Sequence, residues 1–157
     1  MLNRRTLSLS MIMACVLPRG GFGDDEFPTS PALELFHAAS CGCCRNWVRY
    51  MEDSGFLVRI RLVEDIKGTT RSFGIPDDLA GCHVAQVDGY LVGGHVPVDE
   101  LRKLLTNRPP WKGIFVPGMP KGAPGLEGPG QAPYQVFALA RDGSQHMIAT
   151  YQPIPDE

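Results

Sequence analysis

Three cysteines fall within four residues, Cys41-Gly42-Cys43-Cys44, at the junction between two different hydrophobic patterns. Ahead of them, residues 32–38 are mostly apolar and are entered through Pro28 and Pro31, as in a strand partly buried on both faces. Behind them, Trp47, Val48 and Met51 recur at helical spacing among Arg45, Asn46, Arg49 and Glu52, and Gly55 is a natural C-terminal stop. The spacing predicts a strand that delivers the chain into the thiols and an amphipathic helix that begins at them. Backbone N–H groups and the helix dipole favour a thiolate at such a junction, and Arg45 adds positive charge nearby.

The elements that follow narrow the fold class to α/β. Residues 56–63 alternate and are rich in β-branched side chains, which predicts a second strand. A weaker helix runs from Ile66 to Phe73 and is stopped by Gly74-Ile75-Pro76. Two short strands joined by Asp88-Gly89 carry the signature of a two-residue hairpin, and Pro97 opens a helix with Asp99 and Glu100 in its first turn. This order, β-α-β-α-β-β-α with cysteines at the first strand-to-helix turn, looks like a thioredoxin-like fold. Between Pro109 and Pro133 there are 7 Pro and 6 Gly. That composition predicts a long functional or wrapping loop, with strand character only at Ile114-Phe115-Val116. Residues 134–140 and 144–151, joined by Arg141-Asp142-Gly143, predict a C-terminal β-hairpin.

The N-terminal residues read as an address. Arg4 and Arg5 precede an apolar run from Leu7 to Leu17 that is too short for a membrane-spanning helix, so residues 1–23 are expected to be an export signal peptide. Gly21-Phe22-Gly23 places small residues at a cleavage site before Asp24, and residues 24–31 form a solvated linker to a domain spanning 32–157. Two variants compete with this reading: lipid anchoring through Cys15, and a twin-arginine signal built on Arg4-Arg5. The whole sequence of 157 residues is 43% hydrophobic and 20% charged, enough for one core and too balanced for a disordered tail. Its formal net charge is −2, and removal of Arg4, Arg5 and Arg19 with the signal makes the mature chain more acidic. Apart from Arg4-Arg5 and Arg102-Lys103, Lys and Arg are scattered singly and leave no basic stripe, which argues against nucleic-acid binding.

The chemistry concentrates in sulfur. Cys41 and Cys44 have the spacing of a disulfide or of a pair of metal ligands, and Cys43 crowds a simple dithiol switch while suiting a polythiolate site. In the expected topology the loop before the third strand lies against the start of the first helix, so Cys82 supplies a fourth sulfur there. Four thiolates can hold copper, zinc or an iron–sulfur cluster, and an oxidising compartment drives such a cluster to disulfides, to a metal site, or to both. His83, His95 and Met119 are further candidates as ligands or supporting donors, each with a plain structural alternative: a strand neighbour, a turn residue and a gap-filling side chain.

Several short motifs together carry a family resemblance: Cys41-Gly42-Cys43-Cys44 with Trp47 and Met51, then Gly74-Ile75-Pro76, Leu79 and Cys82-His83, then Gly89-Tyr90 with Gly94-His95-Val96-Pro97, and finally Val116-Pro117-Gly118-Met119-Pro120 with Gly122, Pro124 and Gly125. In this order they are similar to the CopG family of periplasmic copper-resistance proteins, over roughly residues 32–140. The resemblance implies a thioredoxin-like fold, four cysteines that bind copper, and a role in handling or interconverting Cu(I) and Cu(II). Gly93 and Leu126 depart from the family's usual acidic residue and methionine, and the second departure argues against an additional thioether ligand. Two other functions fit the residues: a thiol–disulfide oxidoreductase using Cys41 and Cys44, and a metallochaperone that docks on other periplasmic copper-handling proteins through the Pro/Gly loop.

Overall fold

A computed structural model describes residues 31–152. The expected signal peptide, Cys15 and all but the last residue of the expected linker lie outside the described residues. Strand β1 (Leu33–His37) leads into helix α1 (Gly42–Asp53), followed by β2 (Val58–Leu62), α2 (Ile66–Ser72), β3 (His83–Val87), β4 (Tyr90–Gly93) and α3 (Val98–Asn107). Three strands complete the chain: β5 (Trp111–Phe115), β6 (Tyr134–Ala140) and β7 (Gln145–Tyr151). The order β-α-β-α-β-β-α thus stands as read from the periodicities, with three strands after it.

All seven strands form one sheet in the order β2-β1-β3-β4-β5-β6-β7. Strand β1 is parallel to β2 and antiparallel to β3, and β4 is parallel to β5. Each parallel pair is joined through a helix, because parallel strands require a crossover: α1 between β1 and β2, and α3 between β4 and β5. Alternate side chains feed two apolar layers. Leu33, Leu35, Ala85 and Val92 pack with Trp47, Val48 and Met51 of α1 and with Leu101 and Leu104 of α3. Val84, Leu91, Phe115 and Leu139 form the second layer with Ile75 and Leu79.

One local expectation changes. The segment after Pro109-Pro110 is an ordered strand over Trp111–Phe115, earlier and longer than the apolar triplet at 114–116, because β4 and β6 satisfy its backbone on both sides. The second strand forms within the expected segment as β2, an edge strand with β1 as its only sheet neighbour, and its residues Arg59 to Leu62 are exposed.

The fold brings two distant segments to the start of α1. The chain turns sharply between β4 and α3 at Gly94, whose φ of +70° favours glycine and whose Cβ would be driven into the Val116 carbonyl. The later Pro/Gly segment crosses α1 at Gly125, where φ is +81° and a Cβ would lie 2.8 Å from the Trp47 amide nitrogen. Only glycine permits this close approach of loop to helix. Asn46 fastens the contact by donating from Nδ2 to the Gly125 carbonyl at 3.3 Å.

Candidate metal centre

Cys41 is the N-cap residue of α1, with extended backbone (φ −77°, ψ 95°) and no side-chain capping bond, so its sulfur is not spent on the helix. Cys43 and Cys44 occupy the first turn, Cys44 fully buried and Cys41 and Cys43 half-buried. Cys82 stands immediately before β3, and pairing of β3 with β1 carries it to the same point. The four sulfurs lie within 4.8 Å of one another.

Within this group Cys41 and Cys44 are joined as a disulfide, with Cα atoms 5.4 Å apart, while Cys43 and Cys82 are free thiols. The free sulfurs flank the bond. Cys43 Sγ is 3.4 Å from Cys41 Sγ, Cys82 Sγ is 3.5 Å from Cys44 Sγ, and the two free sulfurs are 3.7 Å from each other. Burial, and then the neighbouring Cys43, push the Cys82 thiol up to about 12. It therefore keeps its proton at neutral pH until a cation takes the proton's place.

Softer and borderline donors surround the free pair. Met119, in the Pro/Gly segment, holds Sδ 3.9 Å from Cys43 Sγ while remaining 60% exposed. His95 is fully buried, and its Nδ1 lies 2.7 Å from the Pro124 carbonyl oxygen. A carbonyl only accepts, so Nδ1 carries the proton and Nε2 presents its lone pair towards Cys82 Sγ, 3.8 Å away. A backbone carbonyl that fixes the tautomer and aims the other nitrogen is the usual support of a metal-binding imidazole. His83 Nδ1 is 3.5 Å from the same sulfur, and its ring lies between Trp47, at 4.7 Å, and His95, at 5.1 Å between centroids. Burial lowers the basicity of both rings, His83 to about 3 with a contribution from neighbouring His95, so both are neutral at pH 7. The Nε2 atoms of His83 and His37 are buried without a hydrogen-bond partner. Cys82, His83 and His95 form a second group whose ligand atoms lie within 4.8 Å of one another.

All seven residues singled out from the sequence, Cys41, Cys43, Cys44, Cys82, His83, His95 and Met119, thus meet at one end of the sheet. Two contributors were not singled out for this site. Trp47 reads as a plain core residue, yet its ring packs against His83 at a tilt of 38° and it donates Nε1–H to the Val96 carbonyl at 3.0 Å, bracing the segment that bears His95. Pro124 acts only through its carbonyl, and the sequence signal for it is the tight turn around Gly122 and Gly125.

The chain as a whole is similar to two solved structures. A structure described as copper resistance protein CopG, form 2, is 36% identical, has a TM-score of 0.74, and aligns over 78% of this chain and 98% of its own. Form 1 is 37% identical with a TM-score of 0.72, over 77% of this chain and 97% of its own. This chain belongs to the CopG family. The family model described as a protein of unknown function, DUF411, matches residues 79–126, which contain Cys82, His83, His95, Met119 and Pro124. No protein of curated function matches the sequence. Because nearly the whole length of both CopG structures is matched, the likeness extends beyond a single motif.

Proposed function

We propose that this protein is an exported copper-handling protein of copper resistance, in which Cys41, Cys43, Cys44 and Cys82 hold copper as thiolates and interconvert Cu(I) and Cu(II). The observation that carries this reading is the convergence of four sulfurs within 4.8 Å from two sequence-distant segments. Such a donor set is too soft for calcium or magnesium and suits Cu(I), zinc or an iron–sulfur cluster. The description of both solved relatives as copper resistance proteins favours copper among these. Met119, an exposed thioether beside Cys43, points the same way, because zinc sites are built from Cys, His and carboxylates whereas Cu(I) also takes thioethers. His83 and His95 are proposed as flanking ligands or supporting donors on the Cys82 side.

The scaffold is proposed to be thioredoxin-like, on the support of the β-α-β-α-β-β-α order and a sheet that begins β2-β1-β3-β4. Residues 1–23 are proposed as the export signal to the periplasm, 24–31 as a linker and 32–157 as the domain. Among the described residues no helix is long and apolar enough to cross a membrane.

Metal analysis of the mature protein, reduced and loaded anaerobically with copper, zinc and iron all supplied, tests the reading. Copper is expected, with the four thiols shielded from alkylation until a chelator is added. Full copper binding retained by Cys82→Ser overturns the four-thiolate site. One observation favours a second reading: Cys41 and Cys44 are joined as a disulfide, as in a thiol–disulfide oxidoreductase. That activity should reduce insulin disulfides with strictly metal-free protein and survive Cys43→Ser.

A further inference from the structure

Two buried imidazoles each keep one nitrogen without a partner, and the two nitrogens are complementary. His37 ends β1 and His83 begins β3, and the antiparallel register sets them directly opposite each other on one face of the sheet. His37 is 3% exposed and His83 is fully buried. The Nδ1 of His37 lies 2.8 Å from the Ala38 carbonyl oxygen. A carbonyl only accepts, so Nδ1 carries the proton, and in the neutral ring Nε2 presents a lone pair that no donor meets. His83 has the opposite polarity. Its Nδ1 faces the Cys82 sulfur at 3.5 Å. To meet that thiol, or a cation in the place of its proton, Nδ1 must present a lone pair, which puts the ring proton on Nε2, where it has no acceptor.

The other polar groups around His83 are committed elsewhere. Trp47 Nε1–H goes to the Val96 carbonyl and His95 Nδ1–H to the Pro124 carbonyl. The Gly94 carbonyl lies close enough to raise the basicity of the His83 ring, but it receives the Val96 amide at 2.9 Å and is not within hydrogen-bond reach of Nε2. His37 is itself near enough to act on the His83 ring electrostatically. One buried donor and one buried acceptor remain, and a single water is the molecule that joins such a pair. Through its other nitrogen His37 reaches the cysteines, because the Ala38 carbonyl that it holds also receives the Cys41 amide at 3.0 Å.

We propose that His37 and His83 bind one buried water, which accepts from His83 Nε2–H and donates to His37 Nε2, and that His37 is thereby a positioning residue of the metal centre. The water holds His83 in the tautomer whose Nδ1 lone pair faces Cys82, and His37 ties that tautomer to the turn that presents Cys41. The inference rests on the copper reading above for the identity of the ion, whereas the tautomer belongs to the metal-free protein as well.

The test is NMR of the imidazole nitrogens in reduced mature protein, isotope-labelled at its histidines, metal-free and Cu(I)-loaded, at about pH 8, above the ordinary range of histidine titration. Both states are expected to show His83 protonated at Nε2 only, with cross-relaxation between that proton and a bound water. His37→Leu is expected to lose the water signal, to shift metal-free His83 towards the Nδ1–H tautomer, and to weaken Cu(I) binding roughly 10- to 100-fold in chelator competition. His37→Gln keeps an acceptor at the far end of the side chain and is expected to restore the parent tautomer and most of the affinity, which a space-filling role would not do. His83 protonated at Nδ1 in the metal-free parent overturns the inference, whether or not the variants fold. The parent tautomer retained by metal-free His37→Leu also overturns it, whatever the Cu(I) affinity of that variant. A parent protein with the expected tautomer and water that binds no Cu(I) overturns the copper reading and leaves the water site standing.

Discussion

At the scale of single residues, the His95 tautomer decides what the histidines can do. Its Nδ1–H is committed to the Pro124 carbonyl, so only Nε2 is left to face Cys82. His95→Asn retains an amide donor close to the Nδ1 position and has no atom at Nε2. Copper affinity is expected to fall roughly 10- to 100-fold, the scale on which losing a supporting contact acts, and Cu(I) competition with a chromophoric chelator measures it. A thermal melt of the metal-free variant should shift by only a few degrees. The same burial that keeps the rings neutral makes the metal-free protein sensitive to acid. His83 titrates at about 3 in the folded state, and in an unfolded chain a histidine titrates at about 6.5. Between these values the unfolded state binds more protons, so stability is full above about pH 6.5 and is lost as the pH falls towards 3, with a slope of up to about 1.4 kcal/mol per pH unit for this ring. His95, shifted in the same direction, adds to the slope. Urea melts of metal-free protein across this range check the sign, and stability that rises as pH falls from 6.5 contradicts it.

At the scale of elements, the site exists because a loop is pressed onto the first turns of α1. Gly125 makes that possible through its positive φ and its lack of a Cβ against Trp47. Gly125→Ala is expected to destabilise the fold by about 1–3 kcal/mol, from left-handed backbone strain together with a contact that backbone atoms cannot easily relieve. The loop that lifts away carries the Pro124 carbonyl, so the variant should also weaken copper binding. Denaturant unfolding and chelator competition on the same sample separate the two effects. Helix α1 itself is legible from Trp47, Val48 and Met51, all buried as their spacing requires. The alternation over 56–63 likewise marks a strand, and the sheet order then makes it an edge strand, with Val58 partly buried and Arg59 to Leu62 exposed.

At the scale of the whole molecule, that edge is a liability held in check by charge. Leu57, Ile60 and Leu62 are 55%, 48% and 63% exposed, and Arg59 and Arg61 alternate with them, Arg61 pairing with Glu34 of β1 at 2.8 Å. Exposed edge strands guarded by charged side chains resist pairing with other sheets. Replacing both arginines with alanine should leave stability within about 1 kcal/mol, since exposed ion pairs contribute little. Light scattering on warming should nevertheless rise earlier than for the parent, and identical scattering curves would remove the protective role.

Much of this architecture is legible in the sequence. Element order, the start of α1 at the thiols, the Asp88-Gly89 hairpin and the C-terminal hairpin all rest on local periodicity and turn chemistry, which act between residues a few positions apart. The thiol cluster was legible for the same reason, because Cys41, Cys43 and Cys44 are neighbours in the chain. Sequence alone left open whether Cys41 and Cys44 bond to each other, which ring nitrogen of His95 faces the sulfurs, and that Trp47 and the Pro124 carbonyl brace the site. Tertiary structure decided these points, because contacts such as Cys44 with Cys82, 38 positions apart, and Cys43 with Met119, 76 apart, are set by sheet pairing and loop packing. A residue pattern of short range carries no record of contacts made across that distance.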